Sequence, residues 1–260
     1  LEFRRVLFRS KIIVADNYNA MSRAAALTIK ELINKKHDAV LGLATGSTPI
    51  GTYDELIKMN KNDEIDFSDI KTVNLDEYIG LNENNNQSYR YFMNEKLFNH
   101  ININKKNTFV PNGTSDNIEE EAKNYDKMID ELGGIDLQIL GIGNNGHVAF
   151  NEPDSSLSVG THVTSLTQNT IEANARFFES MDDVPKKAIT MGLGQIMKAK
   201  KIILLANGVN KADAVKGLLS GKITTENPAT LLQLHCDVTL IIDKEISNAI
   251  ENINNYKHAI

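Results

Sequence analysis

The chain has one cysteine and five prolines among 260 residues, and each scarcity removes a class of structure. Cys236 has no partner for an internal disulfide, a zinc knuckle or a redox pair, and it reads as a small buried residue in a reducing cytoplasm. No apolar run approaches the ~18 residues that cross a membrane. Positive charge is also short. Lys+Arg 28 against Asp+Glu 34 leaves a formal net charge of −6, so the molecule as a whole repels nucleic-acid backbones and anionic lipid. We expect neither a nucleic-acid nor a membrane partner, and an anionic ligand has to be met by a local cluster. No Pro/Ser-rich linker, repeat period or low-complexity block divides the chain, so residues 11–260 are expected to form a single domain. The first ten, LEFRRVLFRS, lack an initiator Met and a small-residue cleavage site; they read as a non-native leader.

What is present is an alternation of short β-branched runs with longer amphipathic stretches, the pattern of a parallel sheet with helices on its faces. Strands are expected at Ile12–Ala15, Ala39–Ala44, Lys71–Leu75, Leu137–Gly141, Lys201–Ala206 and Val238–Ile242. Runs such as IILLA and VTLII are apolar without alternation, as strands covered on both faces are. Helices are expected at Ala20–Asn34, Pro49–Met59, Gln87–Phe98, Ile118–Leu132 and Lys211–Leu219, with the Asn-rich stretch Asn82–Gln87 as a surface loop. The predicted fold class is α/β: a doubly wound, mostly parallel Rossmann-like sheet with helices on both faces.

Several strand ends carry chemistry. AVLGLA runs into TGSTP, so Thr45, Gly46, Ser47 and Thr48 occupy a strand-to-helix turn with free N–H groups and hydroxyls, an arrangement that fits a phosphate monoester. The plainer reading is that Ser47 or Thr48 merely caps the helix. A P-loop lysine is missing, so no nucleoside triphosphate is implied. KTVNL ends in Asp76-Glu77-Tyr78, at the carboxyl end of a parallel strand where open sheets hold ligands. Adjacent acids point opposite ways, and Asp76 is expected to face the crevice as a base. LQILGIGNNGHVAFNEP contains GxGxxG at Gly141, Gly143 and Gly146, yet VAF with Pro153 close behind does not open a helix, which weakens a dinucleotide reading. The glycines instead allow tight turns that expose His147 as an acid/base, with Glu152 returning to the same crevice. No second histidine stands at zinc-ligand spacing. Arg176, in ANARFF, and Lys211, in the turn after IILLA, are the cations available to a phosphate, although a charge of either kind taken alone is more often a solvated surface charge.

LGLATGSTP, NLDEYIGL, GIGNNGHVAFNEP, ANARFF, VPKKAITMGLG and PATLLQLH, in this order, closely resemble the glucosamine-6-phosphate deaminase (isomerase) family from Lys11 onward. The resemblance implies a Rossmann-like fold, no metal or organic cofactor, and conversion of glucosamine 6-phosphate and water into fructose 6-phosphate and ammonia in N-acetylglucosamine catabolism. It further implies a small-molecule sugar phosphate as partner and a cytoplasmic monomer or homo-oligomer. By the same resemblance Asp76 is the base acting between C2 and C1, and His147 is the ring-opening acid/base. Glu152 and Asn145 tune that histidine, while Thr45 to Thr48, Arg176 and Lys211 bind the phosphate. Family members often carry Asp at the place of Asn145, so Glu152 is expected to supply the charge here. Members activated by N-acetylglucosamine 6-phosphate have basic residues where this chain has His162 and Thr164, and no such activation is expected. Two other readings share the fold: a 6-phosphogluconolactonase, which has no need of a C2 base, and a sugar-phosphate sensing domain of a transcription regulator, which has no need of both Asp76 and His147.

Overall fold

The computed structural model describes residues 11–167 and 184–250. Seven strands form one wholly parallel sheet: β1 (Lys11–Ala15), β2 (Val40–Leu43), β3 (Lys71–Asn74), β5 (Thr108–Phe109), β6 (Leu137–Gly141), β9 (Ile202–Ala206) and β10 (Val238–Asp243), in the order β1-β10-β9-β6-β2-β3-β5. The sheet is covered on both faces. Alternate residues of one strand enter opposite cores: Ile202 and Leu204 face one layer, Ile203 and Leu205 the other. The first layer is closed by Tyr125 and Ile129 of helix α4 (Ile118–Glu131) and by Val215 and Ile246. The second is closed by Met21 and Ile29 of α1 (Tyr18–Lys35) and by Tyr53 and Leu56 of α2 (Ile50–Lys61). This is the doubly wound arrangement expected from the apolar runs.

A second sheet, absent from the sequence reading, lies beyond the carboxyl end of β3. It is antiparallel, in the order β4-β8-β7, from β4 (Asp76–Tyr78), β7 (His162–Ser165) and β8 (Lys187–Thr190). Asp76 is opposite Thr190, which is in turn opposite His162. Strands of three or four residues with charged members give little periodic signal; here pairing with the apolar centre of KAIT holds DEY extended.

Two further expectations are corrected. The helix expected at Gln87–Phe98 starts later and changes pitch: the Ser88 side chain accepts from Tyr91 N, α3 spans Tyr89–Met93, and a π-helical turn follows at Asn94–Phe98. The wider turn brings Met93, Leu97 and Phe98 all into the core. Cys236 is exposed, not buried. Its neighbour His235 takes the interior position, with Nε2 against Ala199 O at 2.6 Å and Nδ1 accepting from Asp237 N at 3.1 Å.

At the amino ends of β2 and β6, Asp136 accepts from Lys36 Nζ at 2.6 Å, Lys200 Nζ at 2.7 Å and Val40 N at 2.8 Å. Burial works against its charge, but Lys200, Lys36 and the Val40 amide outweigh it and hold the carboxyl below its usual range. Both lysines keep solvent contact, so what Asp136→Ala leaves uncompensated is the buried Val40 N–H, at a cost of about 1–3 kcal/mol. Chemical denaturation at pH 7 should show that loss with kcat unchanged. Because the folded-state value is depressed, the difference from wild type should shrink as pH falls below about 4.

Candidate functional site

The carboxyl ends of β9, β6, β2 and β3 are consecutive across the sheet. From β2 the chain passes to β3 on one side and later returns to β6 on the other, so the loops beyond these strands diverge and leave a crevice.

The turn after β2 is braced from beneath. Tyr53 Oη donates to Ala44 O at 2.5 Å and accepts from Ala44 N at 3.2 Å. Tyr18 Oη donates to Ser47 O at 2.9 Å and accepts from Gly51 N at 2.8 Å. Gly46 has φ +90 with open space where a Cβ would stand, a backbone state that L side chains rarely adopt. The helix begins after Pro49 with no side-chain cap, so neither Ser47 nor Thr48 plays the capping role weighed from sequence, and Gly46 and Ser47 are exposed. Lys211, in the 3₁₀ turn Val209–Lys211 beyond β9, is half-buried; burial pushes its ammonium below the usual lysine range. Among the described residues no carboxylate pairs with it, which leaves a cation at a strand end ready for an anion. Arg176 lies outside the described residues.

Beyond β3 the two adjacent acids have different surroundings. Glu77 Oε1 accepts from Tyr78 N at 2.8 Å and Tyr89 N at 2.9 Å, and Oε2 from Arg90 N at 2.9 Å. It anchors the start of α3, and burial keeps it above the usual carboxylate range in spite of these amides. Asp76 is 6% exposed and receives no hydrogen bond from the described residues. Burial, and after it the Glu77 charge, push its carboxyl up to about 8. The wall beside it is aromatic: Tyr78 and Tyr89 have ring centroids 4.7 Å apart, and Phe150 stacks on Tyr89 at 6.2 Å. A carboxylate so placed is a base near neutrality.

The loop after β6 presents the histidine. Its ring lies over Gly143, where a Cβ would come within 2.3 Å of Cε1 and Nδ1; only glycine permits this approach. His147 Nδ1 meets Glu152 Oε2 at 3.2 Å, and as the carboxylate accepts, Nδ1 carries the hydrogen and Nε2 is left as acceptor. Asn145 makes no hydrogen bond to the ring. Its Nδ2 donates to Glu152 Oε2 at 2.7 Å and its Oδ1 accepts from His147 N at 3.2 Å, so it steers the histidine through the carboxylate. The loop is pinned to the second sheet by Phe150 N to Thr190 Oγ1 at 3.2 Å and Asn151 Nδ2 to Met191 O at 2.9 Å, and to the segment beyond the 3₁₀ turn by Ala229 N to Gly146 O at 2.9 Å. The sequence reading missed Thr190, Asn151 and the aromatic wall. Aromatics in SYRYF signal only a helix core, and the second sheet that carries Thr190 has no pattern of its own.

The carboxyl ends of β3, β6, β2 and β9 thus carry, in turn, a dry carboxylate, a hydrogen-bonded imidazole–carboxylate pair, an exposed glycine turn and a half-buried lysine. Such a set can move protons between oxygen and carbon of a phosphorylated small molecule. Among the described residues no three His, Cys, Asp or Glu side chains converge as metal ligands, and no helix is long and apolar enough to cross a membrane.

Glucosamine-6-phosphate deaminase of Clostridium beijerinckii is 66% identical over 241 residues, covering 93% of this chain and 100% of its own length. The corresponding protein of Thermoanaerobacter sp. is 58% identical over 240 residues, 92% of this chain and 95% of its own. A solved structure described as a monomeric glucosamine-6-phosphate deaminase superposes with TM-score 0.90 at 46% identity, covering 92% of this chain and 100% of the other. The 6-phosphogluconolactonase of Trypanosoma cruzi shares the fold, with TM-score 0.74 at 21% identity over 94% of this chain and 98% of its own. The family described as glucosamine-6-phosphate isomerases/6-phosphogluconolactonase matches residues 15–241, and the chain belongs to it.

Proposed function

We propose that this chain converts glucosamine 6-phosphate and water into fructose 6-phosphate and ammonia, in cytoplasmic amino-sugar catabolism and without a resident metal or organic cofactor. The observation that carries the reading is Asp76, a buried carboxylate just beyond β3, together with the hydrogen-bonded His147–Glu152 pair in the loop after β6. A C–H base of this kind is required for moving a carbonyl along a sugar and is superfluous for lactone hydrolysis.

The Thr45 to Thr48 turn and Lys211 hold the phosphate, with Arg176 assigned to the same role. A pyranose has no proton adjacent to a carbonyl until it opens. His147 Nε2 accepts the proton of the C1 hydroxyl and returns one to the ring oxygen as the C1–O bond breaks, so opening leaves no net proton change. Glu152 steadies the imidazolium that forms between the two transfers, and Asn145 fixes Glu152. Asp76 then removes the C2 proton. The electron pair moves into C1–C2, the aldehyde oxygen takes up a proton, and an enolamine results. Return of the proton to C1 converts the C2–N bond into an imine. Water adds at C2, ammonia leaves, and the ketone remains. Every step is a proton transfer or an exchange of amine for water, so no redox partner is involved.

Asp76→Asn is isosteric and removes only the base, and should lower ammonia release from glucosamine 6-phosphate by ~10²-fold or more. Because an acceptor must be ionised and this one is raised, kcat/KM of the wild type should climb with pH through about 8. A variant with near wild-type turnover, or a flat profile from pH 6 to about 9, removes the assignment.

Lys211 contacts the non-reacting end of the substrate. Lys211→Ala loses one charge-assisted hydrogen bond and should raise KM roughly ten- to hundredfold with a smaller change in kcat. An unchanged KM in initial-rate measurements places the phosphate elsewhere.

A further inference from the structure

The histidine loop turns back on itself within four residues. Asn151 N donates to Val148 O at 3.1 Å, and Ala149 between them has φ +52. Among the described residues, Asp63 is the only other non-glycine residue with positive φ. Aspartate can hydrogen-bond locally in that conformation; alanine has no such compensation, so its surroundings must hold it there. The side chain of Asn151 is placed to do so. It is 4% exposed, and its Nδ2 donates to Val148 O at 3.0 Å and to Met191 O at 2.9 Å. Both acceptors are carbonyls, which fixes the orientation of the amide. Its Oδ1 is buried with no hydrogen bond from the described residues, an unfavourable state that a residue kept for packing alone does not require.

These bonds join two parts of the site. Met191 directly follows β8, and its N–H donates to Leu75 O at 2.7 Å. Leu75 is the residue before Asp76; Glu152, whose Oε2 meets His147 Nδ1 at 3.2 Å, is the residue after Asn151. A path of hydrogen bonds therefore runs from Leu75 through Met191 to Asn151, and one peptide bond at each end separates it from the base and from the carboxylate that orients the histidine. Phe150 N to Thr190 Oγ1 holds the middle of the turn, whereas the Asn151 side chain ties its first residue and its last to Met191. Pro153 biases Glu152 toward extended backbone, so the direction of Glu152 follows from how Asn151 is held. We propose that Asn151 is a positioning residue whose side-chain amide fixes the left-handed turn at Ala149 and so holds Glu152 on His147 Nδ1 at a set distance from Asp76. The proposal rests on reading these groups as the sites of proton transfer.

Asn151→Ala removes both donated bonds. In the full chain it should lower kcat for glucosamine 6-phosphate about ten- to hundredfold, as misplacement of catalytic groups does. KM should change less than about threefold, because the residues assigned to the phosphate are on other loops. The direct readout needs no substrate. Nitrogen NMR of labelled histidine rings, assigned by the signals missing from His147→Gln, should show the neutral ring of the wild type with its hydrogen on Nδ1, and a mixture of tautomers in Asn151→Ala. Should that variant fail to fold, Asn151→Ala/Ala149→Gly is compared with Ala149→Gly, since glycine adopts φ +52 without strain; the same loss of kcat and the same mixing are expected. A tautomer that stays on Nδ1 in the folded variant overturns the proposal, as does a wild-type ring with its hydrogen on Nε2, an unchanged kcat, or a loss confined to KM. Turnover of Asp76→Asn decides the reaction itself, so the two readings fail in different measurements.

Discussion

A carboxylate held away from water, with no hydrogen bond from the described residues around it, is unfavourable to bury, and the upper half of this molecule is arranged to keep Asp76 in that condition. The three-stranded sheet has no core role in the parallel sheet. It lies over the strand ends and fixes Asp76 opposite Thr190. Tyr78, Tyr89 and Phe150 form a wall on which water gains little. Glu77, one residue away, takes three backbone amides and so spends its charge on organising α3. Two neighbouring carboxylates thus have different tasks because one is given donors and the other is denied them.

The two ends of the parallel strands repeat this contrast. At the amino ends Asp136 is satisfied by two lysines and an amide, which serves stability. At the carboxyl ends Lys211 and Asp76 have no described ion-pair partner, and the imidazole of His147 uses Nδ1 toward Glu152, which leaves Nε2 without a hydrogen bond from the described residues. Groups left unsatisfied by the protein are those a ligand can satisfy, and they collect where the diverging loops of a parallel sheet leave room.

The sequence made the parallel sheet legible because its strands are buried on both faces: IILLA and VTLII have no other stable environment. The Thr45 turn and Asp76 stood out because each comes within two residues of the end of such a strand, and His147 and Glu152 because they share the glycine-rich loop that leaves β6. The second sheet was not legible. His162–Ser165 and Lys187–Thr190 are short and half polar, and DEY looks like a turn until its partner strand, more than 100 residues away, is known. Cys236 illustrates the same limit: composition alone places a cysteine inside, whereas the hydrogen bonds of His235 decide which of two adjacent residues faces in. The role of Asn145 needed the distance to Glu152, since spacing along the chain does not distinguish a bond to the ring from a bond to its carboxylate. Arg176 is known from its motif alone.

The state of Asp76 is open to direct observation. Carbon NMR of the ligand-free protein with labelled aspartate carboxyls, assigned by the signal missing from Asp76→Asn, follows its ionisation without turnover. A titration midpoint near 8 is the predicted result, well separated from the ordinary aspartates of the surface at about 4. A midpoint among those ordinary values would contradict the dry carboxylate on which this account of the site depends.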